Sequence, residues 1–113
     1  MDPAESFANS VLAALRARDT RVAALRAKGR GGTAVIGVDD ADTGFVPLLR
    51  LTAASRAYNV MTLLVRQGNH WMPTFQRGTP EQLAEQLATR FQHLWLIAVT
   101  MADFSATARP GTR

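Results

Sequence analysis

The chain contains no cysteine among its 113 residues. Disulfide bonds, thiolate nucleophiles and cysteine-based zinc sites are therefore excluded. No apolar run approaches the roughly 20 residues that a membrane-spanning helix requires, and residues 1–5 carry two acids where a secretory signal would carry bases. We therefore expect a cytoplasmic protein that has no membrane partner.

Lysine is almost absent too, since Lys28 is the only lysine among 13 basic residues. The chain has nine acidic residues, so the formal net charge is +4. A basic balance suits an anionic partner. A chain rich in arginine and alanine is also typical of GC-rich bacterial genomes, so we interpret the protein as bacterial and draw no function from its charge alone.

The composition is that of a folded protein, because 47% of the residues are hydrophobic and only 19% are charged. A chain of this length forms one domain and buries about two-thirds of the surface that its unfolded form exposes. We predict a single domain over residues 1–103. Residues 104–113 are polar, small and proline-containing, which predicts a disordered tail.

Residues 2–28 begin with a helix-start pattern, in which Asp2 is the N-cap, Pro3 the first helical residue and Glu5 the third. One unbroken helix over this segment would be about 39 Å long, more than the about 35 Å diameter of such a domain. Asp19 and Thr20 offer a natural break. The sequence leaves open whether the segment is one helix or two, and the glycines after Lys28 are interpreted as its end.

Four β-rich segments follow, at residues 33–39, 45–51, 59–66 and 71–76. Turn residues between the first two and between the last two predict two hairpins. Pro47 and Pro73 cannot donate a backbone hydrogen bond, so both indicate sheet edges. Residues 52–58 show no decisive periodicity, so we assign them neither helix nor strand.

A second helix-start pattern lies at Thr79, Pro80 and Gln82, and apolar residues recur at helical spacing as far as Leu94. Residues 95–101 are almost continuously apolar, which is typical of an interior strand. The predicted fold is a two-layer α+β sandwich with the order α-β-β-β-β-α-β. It has a mostly antiparallel sheet of about five strands and helices on one face.

No catalytic constellation or cofactor motif is present in the sequence. His70 and His93 have no metal-ligand spacing, and no serine lies in a nucleophile-elbow motif. The leading hypothesis is therefore a non-enzymatic protein that acts through protein contacts, as a homodimer or an adaptor. Its support is the overlong first helix and the aromatic residues near an edge hairpin, Trp71 and Phe75.

A second hypothesis is a small nucleic-acid-binding module. It uses basic residues of the first helical segment, of which we select Arg18, Arg26, Lys28 and Arg30 as candidate contacts. A third hypothesis is a metal-dependent enzyme. The turn that contains Asp39, Asp40 and Asp42 supplies the carboxylate oxygens that Mg²⁺ and Ca²⁺ prefer, although turns also select aspartate for conformational reasons.

Overall fold

A computed structural model describes residues 2–40, 42–53, 60–67 and 69–108 of the chain. Within these ranges the side chains of Arg30, Gln67, Phe75 and residues 101–108 are outside the description. The first helix, α1 (Pro3–Arg18), is followed by a short 3₁₀-helix, η1 (Thr20–Ala24). The strands are β1 (Arg26–Arg30), β2 (Thr33–Asp40), β3 (Gly44–Ala53), β4 (Met61–Gln67) and β5 (His70–Gly78), and two helices close the order, α2 (Pro80–Ala88) and α3 (His93–Ala108).

The start of α1 confirms the N-cap at Asp2, whose Oδ1 accepts hydrogen bonds from the backbone N–H groups of Ala4 at 2.8 Å and Glu5 at 3.3 Å. Asp19 ends the helix in an extended conformation, and its side chain caps η1 by accepting from Arg21 N at 3.0 Å. The chain therefore breaks at the position that the sequence favours, and the overlong first helix does not form.

The end of the first segment was wrongly interpreted as helix, because residues 26–30 form the edge strand β1. Gly31 and Gly32, with φ of 59° and 82°, make the two-residue turn into β2 and do not terminate a helix. Glu5 Oε1 accepts from Gly29 N at 2.8 Å, which holds the start of α1 against this edge. A Cβ on Gly29 would lie 2.6 Å from Glu5 N, so only glycine permits this close approach.

The five strands form one antiparallel sheet in sequential order, from β1 at one edge to β5 at the other. Pro73 lies on an edge strand, as predicted. Pro47 lies on the interior strand β3, beside a register shift opposite Gly37. The described pairing of β3 with β4 begins at Leu49, so Pro47 interrupts no rung of that pairing.

The helix α2 begins with the predicted capping box, because Gln82 N donates to Thr79 Oγ1 at 3.3 Å and Thr79 N donates to Gln82 Oε1 at 2.9 Å. It ends at Ala88, earlier than the apolar spacing indicates. The last predicted strand, residues 95–101, is wrong and belongs to α3. The predicted tail starts inside α3, which runs to Ala108, while residues 109–113 lie outside the described residues.

Helical geometry explains the environment of α3. A strand would place Trp95, Ile97 and Val99 on one side, whereas in a helix Ile97 lies about 200° around the axis from Trp95. Trp95 and Val99 are buried, and Ile97 is 70% exposed. The indole N–H of Trp95 donates to Leu87 O at 2.8 Å and so joins α3 to α2. A short apolar run does not by itself distinguish these two conformations.

The helices cover one face of the sheet, which confirms the two-layer α+β architecture. α1 packs on β1, β2 and β3, α3 packs on β2 and β3, and α2 packs on α1 and β5. We call the covered side of the sheet the core face. Its buried residues are Ala34, Ile36, Val38, Leu49, Leu51, Met61 and Leu63. The opposite side carries the candidate functional site.

Candidate functional site

The side of the sheet opposite the helices is called here the open face. Successive side chains along a strand point to opposite sides of the sheet. The strand residues next to each core residue therefore point to the open face, and residues paired across neighbouring strands share the same side. No described helix packs on it. The open face includes Arg26, Lys28, Thr33, Val35, Asp39, Phe45, Pro47, Arg50, Leu64, Arg66 and Trp71.

A groove of about 780 Å³ runs over this open face. Its walls combine cationic and aromatic side chains from three strands, namely Lys28 on β1, Phe45 and Arg50 on β3, and Trp71 on β5. Val35 and Pro47 form apolar parts of the lining. A groove whose lining is largely apolar and includes two cations suits a ligand that is anionic and also has flat apolar surfaces.

Each of the two aromatic rings described on the open face lies beneath two cations. Lys28 Nζ is 4.4 Å and Arg26 Cζ is 5.5 Å from the centre of the Phe45 ring. Arg50 Cζ and Arg66 Cζ are each 5.9 Å from the ring of Trp71. Cations within about 6 Å of a ring are attracted to its π face. The strand register therefore builds two similar cation and ring clusters within one surface.

Arg50 occupies the middle of this surface. It lies on the interior strand β3, in register with Val35 on β2 and Leu64 on β4. Its Nε is buried and has no hydrogen-bond partner among the described residues. A guanidinium carries five N–H donors that match the oxygens of phosphate or carboxylate. Arg50 lines the groove, and its buried Nε remains an unsatisfied donor within the described residues.

Asp39 is the one acidic residue that we place on the open face among the described strand residues. Asp39 Oδ2 is 2.8 Å from Arg26 Nε, and both side chains are about half exposed. Other described acids lie elsewhere. Asp2 and Glu5 bind backbone amides at the β1 edge, and Asp19 lies between α1 and η1. The open face consequently carries a clear excess of positive charge.

The residues selected from the sequence divide between two sides of the molecule. Arg26, Lys28 and Trp71 meet on the open face. Arg18 does not join them, because it ends α1 and pairs with Glu81 of α2 at 3.1 Å. Arg30 ends β1 and Phe75 lies within β5, and their side chains are outside the description.

Arg26 and Lys28 come together because their segment is a strand. Helical geometry spreads them around an axis, whereas alternate strand residues share a side. Phe45, Arg50 and Arg66 were missed as site residues. The alternation of Thr62, Leu64 and Arg66 against Met61, Leu63 and Val65 indicates which side of β4 faces away from the core, and that signal could have identified Arg66.

The carboxylates of Asp39 and Asp40 in the acidic turn bind groups of the protein itself and do not point together as metal ligands would. Asp39 pairs with Arg26, and Asp40 Oδ1 accepts from the backbone N–H groups of Asp42 at 2.7 Å and Thr43 at 3.3 Å. No group of three metal-ligating acidic or histidine side chains occurs within the ranges that the structure describes. His70 and His93 are both exposed and start β5 and α3 respectively.

Asp19 has a pKa well below the ordinary value. Hydrogen bonds from the Arg21 side chain lower the pKa of Asp19 to about 2, and hydrogen bonds from Arg21 N and Gln92 act in the same direction. This carboxylate is on the helical side, where it joins η1 to the turn between α2 and α3. It is a structural feature and not part of the open face.

Comparison with protein-family models, with curated proteins and with solved structures found no match to this chain. None of its described helices is both long and apolar enough to cross a membrane.

Proposed function

We propose that this protein is a nucleic-acid-binding module whose ligand lies along the open face of the sheet. The observation that carries the proposal is the pair of cation and ring clusters, Arg26 and Lys28 at Phe45, and Arg50 and Arg66 at Trp71. This develops the second hypothesis from the sequence and moves its site from a helical segment to a sheet. The proposal includes a cytoplasmic location in a bacterium, where nucleic acid is accessible.

The two components of the clusters match the two components of a polynucleotide. Lysine and arginine neutralise phosphates, which supplies most of the affinity that does not depend on base sequence. Aromatic rings supply flat surfaces on which bases stack. A metabolite with a single phosphate would need only one of these clusters, whereas a polymer can contact both.

The salt dependence of binding tests this proposal. A labelled single-stranded oligonucleotide is titrated with the protein at several salt concentrations, and binding is followed by fluorescence anisotropy. If each of the four cations neutralises one phosphate, the slope of log K against log salt is about −3. The double variant Lys28→Gln, Arg50→Gln should reduce the magnitude of that slope by about 1.4.

Arg90→Gln is a single-charge control, because Arg90 is exposed between α2 and α3, on the helical side. It removes one charge and should leave the slope within error of the unmodified protein. The proposal fails if no oligonucleotide binds at low salt, or if Arg90→Gln has the effect of the double variant. Polyglutamate that binds as tightly as the oligonucleotide would indicate an acidic protein partner instead.

A second candidate function is the protein contact that led the sequence-based hypotheses, with a second copy of this chain as the partner. Its original supports changed, because the first helix breaks at Asp19 and the Phe75 side chain is outside the description. The observation that now favours it is Ile97. This side chain is 70% exposed on α3, and with Met72 it is one of two large apolar side chains exposed among the described residues.

Light scattering at micromolar concentration tests this pairing. If α3 forms the contact, the unmodified protein is a dimer and Ile97→Gln converts it to a monomer. Met72→Gln is the matched control, since Met72 is 45% exposed on β5 and should leave the dimer intact. A monomeric unmodified protein excludes the candidate.

A further inference from the structure

The geometry points to Trp71 as a platform on which an unpaired base stacks, so that the ligand of the open face is single-stranded nucleic acid. This inference rests on the proposed function and specifies the class of its ligand. It adds a role for one ring in the groove and a selectivity that charge alone does not produce.

Trp71 is partly exposed in the groove, and a flat ligand on its ring would share it with two guanidinium groups. The residue lies on the edge strand β5, where it is half-buried and lines the groove. Arg50 and Arg66 lie at similar distances from the ring centre, 5.9 Å each. A base that stacks on the indole would therefore carry its phosphates close to two guanidinium groups.

The same arrangement disfavours a duplex. Bases in a duplex are stacked on each other, and exposing one face costs pairing and stacking energy. A single strand has unpaired bases whose π faces are accessible, and stacking on an aromatic side chain tolerates any base. The groove should thus bind single strands better than duplexes, with little preference for sequence.

Tryptophan fluorescence can report on Trp71 alone, because the other tryptophan of the chain is buried away from the groove. The chain has two tryptophans, and Trp95 is 0% exposed with its indole N–H bonded to Leu87 O. A ligand on the open face does not reach Trp95, which lies in the helical layer. Quenching of the emission on binding consequently reports on Trp71.

The experiment compares a short pyrimidine single strand with an abasic phosphodiester of equal length, which keeps the phosphates and lacks the bases. The unmodified protein should bind the pyrimidine strand about 5- to 150-fold more tightly than the abasic strand. Only the pyrimidine strand should quench the tryptophan emission. A duplex of the same sequence should bind more weakly than the single strand.

Two variants separate stacking from charge. Trp71→Leu should remove the preference for bases while the affinity for the abasic strand stays unchanged. Trp71→Phe should keep part of the preference for bases, because it retains an aromatic ring, and should lose the change in tryptophan emission. Circular dichroism checks that both variants are folded.

The outcomes distinguish this inference from the proposed function. Equal binding of pyrimidine and abasic strands, without quenching, overturns the stacking role and leaves nucleic-acid binding intact. Unchanged preference for bases in Trp71→Leu also overturns it. Failure of the unmodified protein to bind either strand overturns both the inference and the proposed function.

Discussion

The two faces of the sheet are built from the same strands and have opposite chemistry. Leu63 and Leu64 are neighbours on β4, yet Leu63 is 0% exposed beneath the helices and Leu64 lies half-buried on the open face. The core face is covered, and its buried residues are all apolar, since no polar or charged residue among those described is buried. The open face combines two aromatic rings with at least four cations.

This difference separates stability from binding. Burial of apolar surface stabilises the fold in proportion to the area removed from water, and that burial occurs on the core face. Side chains on the open face remain in partial contact with water and contribute less. Substitutions on the two faces should consequently affect different measurements, free energy of unfolding on one side and ligand affinity on the other.

The largest expected effect comes from Leu63→Ala on the core face. Removing this fully buried side chain should lower the free energy of unfolding by about 2–5 kcal/mol, because it leaves a cavity as well as losing apolar burial. Leu64→Ala is the matched substitution on the open face and should cost less than about 1.5 kcal/mol, because Leu64 is only half-buried. Urea denaturation followed by circular dichroism measures both. Equal losses would contradict the division between the faces.

An intermediate effect is expected at Asp19, on the helical side. Asp19→Ala removes the cap of η1 and should lower the free energy of unfolding by about 1 kcal/mol at neutral pH. Asp19→Asn keeps an acceptor for Arg21 N but loses the charge, so its cost should be smaller. Oligonucleotide affinity should not change in either variant, since the residue is remote from the open face.

The contribution of the Asp19 charge should depend on pH. Its pKa in the folded protein is lowered to about 2 from an ordinary value of 3.8. The stabilisation is therefore fully present above the ordinary pKa and is lost as the pH falls from about 4 towards about 2. Asp19→Asn should lack this pH dependence. A difference between the two proteins that stays constant from neutral pH to pH 2 would show that the charge is not the cause.

The smallest expected effect comes from Asp39→Asn on the open face. If the proposed ligand binds the open face, its phosphate and Asp39 compete for Arg26, and an exposed ion pair of this kind contributes at most about 1 kcal/mol. The variant should raise oligonucleotide affinity by about 2- to 5-fold in anisotropy titrations at low salt. Glu85→Gln, an equal charge change on the exposed side of α2, is the control. Equal gains in both variants would indicate a general effect of net charge.

Much of the architecture could be predicted from local sequence signals. The starts of α1 and α2 are predicted by Asp2, Thr79 and Gln82, because these side chains accept hydrogen bonds from backbone N–H groups at the helix start. Four strands are identified by β-branched composition and turn residues. Pro73 correctly indicates an edge, since the constraint acts on the residue's own backbone.

The errors occur where local patterns are compatible with two structures. Residues 26–30 contain glycine and cations, which do not indicate a strand, and their conformation depends on pairing with β2 and on contact with α1. Residues 95–101 are apolar enough for either an interior strand or a packed helix. The segment covers the sheet as α3, with Trp95 and Val99 buried and Ile97 exposed.

The candidate site could be predicted only in part for a related reason. Arg26, Lys28 and Trp71 are conspicuous in the sequence as cations and an aromatic residue. Their meeting with Phe45 and Arg50 depends on the register of five strands and on the β3 bulge near Pro47. Sequence patterns predict where each strand begins and ends, but they do not predict the register between neighbouring strands.

The most direct test of the central claim is an NMR titration of the protein with a single-stranded oligonucleotide. The two indole N–H signals report on opposite sides of the sheet, Trp71 on the open face and Trp95 in the helical layer. We expect the Trp71 signal and the backbone amides of Lys28 and Arg50 to shift, while the Trp95 signal stays in place. Shifts confined to the helices, or no shifts at all, would contradict the account.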